Sequence, residues 1–378
     1  MPSHGLSANA QLALDTILRK PTRGIPCWMV HILEHSQIER LAGAQPGDYR
    51  KDPERVYIAC QRACGACFID QYLPTNPLSM GDRGFEGAAK GATTGAEQIV
   101  CDGVVIDSAE AVVEHMERFA FPALGAQIAS FDEDQHVAEI LAKEADLQEK
   151  LGPDILKVPY GYISFPHLHY GTYGYAAYFM AYALYPEIIE KHFSLQADLW
   201  RLRNRAAARA YAEGDLPPLS RSDHDMADSR GMLVNIKSLD KLWLPHFARS
   251  LEPALKAGIR IIWHCDGNLM DLAPRLLEAG LCGFQGFQYE TGMDYEKICR
   301  MKTRDGEDLI IVAGVSVTRT LPFGTPDDIR RELRWLVDNG PRTGLSLGGS
   351  STITPGVPWE NIQALIEGLR YYRAHGRG

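Results

Sequence analysis

The stretch "IRIIWHCDGNLM" sets an imidazole and a carboxylate two residues apart at the end of an apolar run. Alternate side chains of an extended strand share a face, so Ile262, His264 and Asp266 point one way and Ile261, Trp263 and Cys265 the other. A histidine beside a carboxylate can ligate a metal or work as an acid/base pair. The competing reading is a buried histidine satisfied by backbone. The Gly267-Asn268 turn, which opens the chain toward a pocket, favours chemistry. A second candidate is a set of thiols: Cys60, Cys64 and Cys67 form C-x3-C-x2-C, a spacing that holds iron-sulfur clusters in some radical enzymes. Asp52-Pro53 starts a helical pattern in which Val56, Cys60, Cys64 and Cys67 recur at helical spacing, and Ala66 stands where an aromatic residue usually precedes the last cluster cysteine. That pattern reads as a buried stripe. The remaining cysteines are scattered singly, as free thiols of a reducing compartment are.

These residues need elements to hold them. Eight short apolar or β-branched runs alternate with helical patterns: 25–30, 66–71, 155–162, 216–223, 259–265, 282–290, 308–315 and 344–349. Helices are expected over 239–257, 269–279, 325–339 and 358–374, the last opened by Pro358 with Glu360 in its first turn. Alternation predicts a parallel sheet, and eight strands in 378 residues predict a closed (β/α)8 barrel of TIM type. Residues 1–24 read as an N-terminal helical extension and 25–378 as the barrel, with no linker between two domains. In such barrels chemistry sits at the carboxyl ends of the strands. The glycine-rich segment Gly81 to Val113 reads either as an insertion folding over that end or as a surface hairpin.

Composition narrows the function. Forty-eight acidic against thirty-nine basic residues give a net charge of −9, with no dense basic cluster, which argues against nucleic acid as a partner. The longest uncharged run, Tyr170 to Pro186, falls short of the roughly 20 apolar residues of a membrane span. The N-terminus lacks the basic start and apolar stretch of an export signal, so a cytoplasmic protein is expected. Tyr160, Tyr162, Phe165, His167, His169, Tyr170 and Tyr173 crowd the segment after the third strand. Such a wall suits a methoxylated ring or a methylammonium group through stacking or cation–π contact, and equally suits helix packing.

"HCDGN" after an apolar strand, "SDHDMADSRGMLVNIKSLDKLWLPHF" and the closing "GVSVTRTLPFGTPDDIRRELRWLVDNGPRTGLSLGGSSTITPGVPWENIQALIEGLRYY" resemble the uroporphyrinogen decarboxylase superfamily, which also holds cobalamin-dependent methyltransferases. The resemblance implies a TIM-type barrel with a helical N-terminal extension. It does not settle the reaction. The decarboxylases carry an arginine-rich segment after strand one for a carboxylate-rich tetrapyrrole, whereas this chain offers His31, Glu34 and His35 where the family has Gln, Gly and Arg. The coenzyme M methyltransferases of the group hold zinc through His-x-Cys after strand five and a Cys after strand eight. Here Asp266 and Gly349-Ser350 occupy the cysteine places, so any metal would rest on harder ligands: His264 with Asp266 or Glu290.

A third branch, enzymes that move a methyl group from a small methylated compound to a corrinoid protein, is resembled in "LLEAGLCGFQGFQYETGMDYEKI", where Glu290 ends the sixth strand. Cleaving an ether requires a proton or a Lewis acid at the leaving oxygen, and His264, Glu290, His224 and Asp225 are expected to supply it. Glu290 as a cap or an arginine partner, and His224-Asp225 as a turn pair, are the competing readings. His31, His35, Tyr160, Tyr162, His167, His169 and Asn268 are expected around the substrate. "DQHVAE" from Asp134 lacks the glycine of a corrinoid-binding motif, so the corrinoid is expected on a separate protein, with a small-molecule methyl donor and O-demethylation as the chemistry. The alternative is a decarboxylase acting on an aromatic or tetrapyrrole carboxylate, with Asp225 or His224 as proton donor.

Overall fold

The computed structural model describes residues 5–75, 98–264 and 266–377. All eight apolar runs contribute to one parallel arrangement. We label them β1 (bridges at Cys27 and Trp28), β2 (Phe68–Ile69), β3 (Leu156–Lys157), β4 (Leu219–Asp223), β5 (Arg260–His264), β6 (Gly283–Gln285), β7 (Ile310–Val315) and β8 (Leu345–Gly349). β4 to β8 form a continuous sheet in chain order. β8 returns to β1 through the Cys27–Leu347 bridge, where Trp28 N–H donates to the Leu347 carbonyl at 2.8 Å. β1 meets β2 at Trp28–Phe68, and β2 pairs with β3.

The β8/β1 and β1/β2 seams are single bridges, and the β3/β4 seam has no backbone pairing among the described residues. Pro159 follows β3, while Pro217 and Pro218 precede β4, and proline cannot donate to a ladder. Side chains span the gap instead: the Tyr160 hydroxyl donates to Asp223 Oδ2 at 2.5 Å. The architecture is therefore the expected (β/α)8 barrel.

The helices Pro186–Glu213, Leu244–Lys256, Pro326–Asn339 and Trp359–His375 lie among those that clothe the sheet. Outward-facing Trp263 packs against Phe165, Phe247 and Trp243 with ring centroids 4.9, 5.7 and 6.3 Å apart. The register sets Asp223 beside His264 and His264 beside Gln285. These residues share the inner face. The N-terminal helix Ala8–Ile17 buries Ala10, Ala13, Leu14 and Ile17 and packs against β3 and β8.

Several boundaries differ from the sequence expectation. The helix expected over 239–257 is two, Ile236–Leu242 and Leu244–Lys256, because Pro245 sits in the first turn of the second. The one expected from 269 begins at Ala273. β6 stops at Gln285, since Gly286 adopts φ +69° and a Cβ there would come within 2.9 Å of His264 Nδ1. Glu290 therefore lies beyond the strand, on the 3-10 turn Tyr289–Thr291. Cys60 and Cys64 lie on the helix Pro53–Cys64, which Gly65 ends at φ +82°, and Cys67 follows it toward β2; all three thiols are buried and unbridged. Most of the glycine-rich segment lies outside the described residues. Its remainder forms the hairpin Val100–Cys101 with Val104–Val105 and the start of the helix Ala109–His115. Among the described residues no helix is long and apolar enough to cross a membrane.

Candidate active site at the barrel mouth

A cavity of about 90 Å³ opens at the carboxyl ends of the strands. β1 and its extension supply Trp28 and His31, the end of β2 supplies Gln71, β4 supplies Arg221 and Asp223, β5 supplies His264 and β6 supplies Gln285, with Thr352 closing the ring after β8. The strand ends converge because the barrel closes, and each delivers its inward-facing residue.

One wall is a network of charges. Arg221, 5% exposed at its side chain, donates from Nε to Asp70 Oδ2 at 2.6 Å and from Nη1 to both oxygens of Asp223 at 2.7 and 2.8 Å. Nη2 reaches Gln71 Oε1 at 3.2 Å, and the guanidinium lies 4.9 Å from the Tyr160 ring and 5.4 Å from that of Trp28. Asp70 also accepts from Trp28 Nε1 at 2.9 Å and from Gln71 N–H at 2.7 Å. Burial works against the Asp70 charge, but the Arg221 cation and these donors outweigh it and hold the carboxyl below its ordinary range. Burial likewise opposes the Arg221 charge, and the two carboxylates raise its pKa. The network is complete in itself.

His264 stands opposite. Its Nδ1 lies 3.3 Å from the Gln285 carbonyl, which fits Nδ1–H as donor and places the ring's lone pair on Nε2. Asp225 and Asp266 follow β4 and β5, and the Asp266 N–H donates to Asp225 Oδ1 at 3.2 Å. Burial and the neighbouring Asp266 and Asp223 charges raise the Asp225 pKa, against the Asp266 N–H and His264, which lower it; its solvent-exposed side chain screens part of this. His31 donates to or accepts from Thr352 Oγ1 at 3.0 Å, and burial, reinforced by Arg221, depresses its pKa to about 4. It is neutral at pH 7.

The remaining residues singled out in the sequence divide. Tyr160 belongs to the mouth through Asp223. Tyr162, two residues on, donates to Glu144 Oε1 at 3.0 Å beside the buried Lys157–Glu144 pair, behind β3 and outside the cavity lining. His224 accepts from the Leu168 N–H through Nε2 at 2.9 Å and stacks on His167 at 4.6 Å, so its ring is fixed as a neutral acceptor. His167 and His169 lean on Gln196, which accepts from the His167 N–H at 2.9 Å and lies 3.2 Å from His169 Nε2. His35 packs edge-on against Tyr49 at 4.5 Å. Asn268 accepts from the Met270 N–H at 3.2 Å as a turn residue. Glu290 accepts from the hydroxyls of Ser316 and Thr318 after β7 and is absent from the cavity lining, so it does not converge with His264.

The expected metal set does not assemble: Asp266 Oδ1 accepts from Gln288 Nε2 at 3.1 Å, Glu290 is bound to hydroxyls, and Ser350 Oγ accepts from the Val317 N–H at 3.2 Å. Among the described residues no group of three His, Cys, Asp or Glu has metal-binding geometry. His136 rides the helix Glu133–Leu151 with its ring against Phe131. Asp70, Gln71, Arg221, Asp223 and Trp28 were not singled out from sequence. The available signal was that Asp70 and Asp223 end predicted strands, with Arg221 two residues before Asp223 on the same face.

Residues 225–372 match the family described as Uroporphyrinogen decarboxylase (URO-D). The solved "methyltransferase from Methanosarcina mazei" is similar over 96% of this chain and 98% of its own, with a TM-score of 0.58 at 16% identity, a likeness of fold. A B12-independent methionine synthase from Shewanella sp. W3-18-1 overlaps 61% of this chain and 67% of its own at a TM-score of 0.39 and 12% identity. No curated protein matches the chain. Residues 225–372 are thus similar to the uroporphyrinogen decarboxylase family, and the barrel as a whole shares its fold with the solved methyltransferase.

Proposed function

We propose that this chain is a methyltransferase that takes a methyl group from a small neutral or cationic donor and passes it to a corrinoid carried on a separate protein. One observation carries the reading: Arg221, the guanidinium that lines the cavity, is neutralised by Asp70 and Asp223. With His31 neutral, the described residues of the mouth offer no unpaired guanidinium or ammonium to a carboxylate substrate, and their charge balance favours a neutral or positive one. A cavity of about 90 Å³ admits a methylated heteroatom and holds a larger donor's remainder outside, near Tyr160.

The corrinoid would supply the nucleophile that receives the methyl. The bond between methyl and heteroatom breaks with its electron pair staying on the heteroatom, which then needs a proton. His264 relays that proton from solvent through Nε2, with Asp225, at the end of the neighbouring strand, next in the relay. The Arg221 network fixes Asp223 and Tyr160 around the donor and keeps the cavity's electrostatics constant through the cycle. Glu290 acts at a remove, holding the turn after β7.

The test is methylation of cob(I)alamin with methanol, methylamines or methoxylated aromatics as donors, against release of carbon dioxide from aromatic or tetrapyrrole carboxylates. Methylation that drops roughly 10²- to 10⁴-fold in His264→Gln is the expected result. Carbon dioxide release without methylation would overturn the reading in favour of a decarboxylase.

A further inference from the structure

We propose that the barrel face opposite the mouth carries a binding site for a small phosphorylated anion, independent of the chemistry at His264. A cavity of about 360 Å³ lies where the starts of β1 and β8 meet the C-terminal segment. Its cationic lining is Arg23, Arg342 and Arg377, with His375 beside them, and among the described residues no Asp or Glu lines it. In a chain of net charge −9 this is a local inversion of sign.

The three arginines are held differently. Arg377 is half-buried, its guanidinium fixed against the carbonyls of Val337, Gly340 and Pro341, bonds that use its donors without neutralising its charge. Asp338 lies in the adjacent groove. Arg23 and Arg342 are exposed at the rim, and neither forms an ion pair among the described residues. A fixed cation at the base and two guanidinium forks free to close from the rim form the arrangement that recognises a phosphate, whose oxygens accept paired N–H donors.

The floor stays bare for reasons of packing. A Cβ at Gly24 would lie 2.1 Å from the Arg373 carbonyl oxygen, and Gly344, at φ +82°, would set one 3.1 Å from that of Leu309. The hydroxyls of Thr16 and Thr22 donate to the carbonyls of Leu12 and Gly24, so the polar side chains left to receive a ligand are the three arginines and His375. The site's chemistry therefore suits a dianion such as a phosphomonoester or a pyrophosphate, at the end of the barrel away from the reacting groups.

Calorimetric titration of the full chain with inorganic phosphate and with pyrophosphate, at constant ionic strength set with chloride, tests this. Saturable one-to-one binding is expected, weakened at least tenfold by Arg342→Ala and by Arg23→Ala and partly restored in Arg342→Lys. Arg230→Ala, a charge removed from the surface elsewhere, should leave it unchanged. Absence of saturable binding, or equal weakening by Arg230→Ala and Arg342→Ala, would overturn the proposal.

Discussion

Two buried clusters of ionisable side chains meet at the peptide bond between Asp223 and His224, and the fold keeps them in opposite charge states. On one side of that bond, Arg221 is ion-paired with both Asp70 and Asp223 within 3 Å, so burial is met by opposite charge. On the other, His224, His167, His169 and His192 stack among tyrosines and phenylalanines with no carboxylate partner among the described residues. Desolvation, with mutual repulsion should they protonate, pushes every one of their pKa values down, to about 4 for His167 and about 3 for His192. Burial alone does not decide whether a group is charged; the presence of a counter-charge does.

Removing the cation breaks the comparison most sharply. Arg221→Met leaves Asp70 and Asp223 without their partner, and about 3–5 kcal/mol of stability should be lost in urea unfolding. A loss below about 1 kcal/mol would show that water, not Arg221, carries the carboxylates.

Acid separates the clusters by the pH at which each gives way. The histidines are neutral in the fold, whereas the unfolded chain protonates them below about pH 6.5, so their effect is to reduce stability progressively from there down to about pH 4 and 3. Asp70, whose folded pKa is depressed, contributes stability that is present above the ordinary carboxylate pKa near ~4 and lost as pH falls through its folded value. The histidine stack thus weakens the fold first. Urea midpoints followed from pH 7 to 4 should fall, and His192→Leu, which also removes the unpartnered buried Nδ1, should flatten that fall. An unchanged slope in the variant would place the acid sensitivity elsewhere.

The smallest expected effect concerns Glu290. Its carboxylate accepts from Ser316 and Thr318, a task the amide oxygen of Gln also performs, so Glu290→Gln should change turnover less than about threefold. A drop like that of His264→Gln would return Glu290 to the reacting centre.

Much of this was legible in the chain. Each strand announced itself by an apolar or β-branched run, and His264 could be placed at a strand end facing inward, because strand periodicity is a local property. The ends of elements were less so: Gly286, which stops β6 and moves Glu290 onto a turn, is needed because a side chain there would strike His264 and Ser350, a neighbour relation set across three strands. The aromatic and histidine segment after β3 was rightly read as dense with rings, but whether each faced the mouth or the helices rested on packing.

Sequence by itself determined the number and order of strands and the handful of titratable groups at their carboxyl ends. Only the tertiary structure decided which of those groups are spent on one another: Arg221 reaches Asp70 from 151 positions away, while His264, one strand over, has no partner on Nε2 among the described residues. The reason is that alternation along a strand follows from local covalent geometry, whereas the partner across a barrel follows from how the sheet closes, and charge pairing at such distances in sequence leaves no periodic trace.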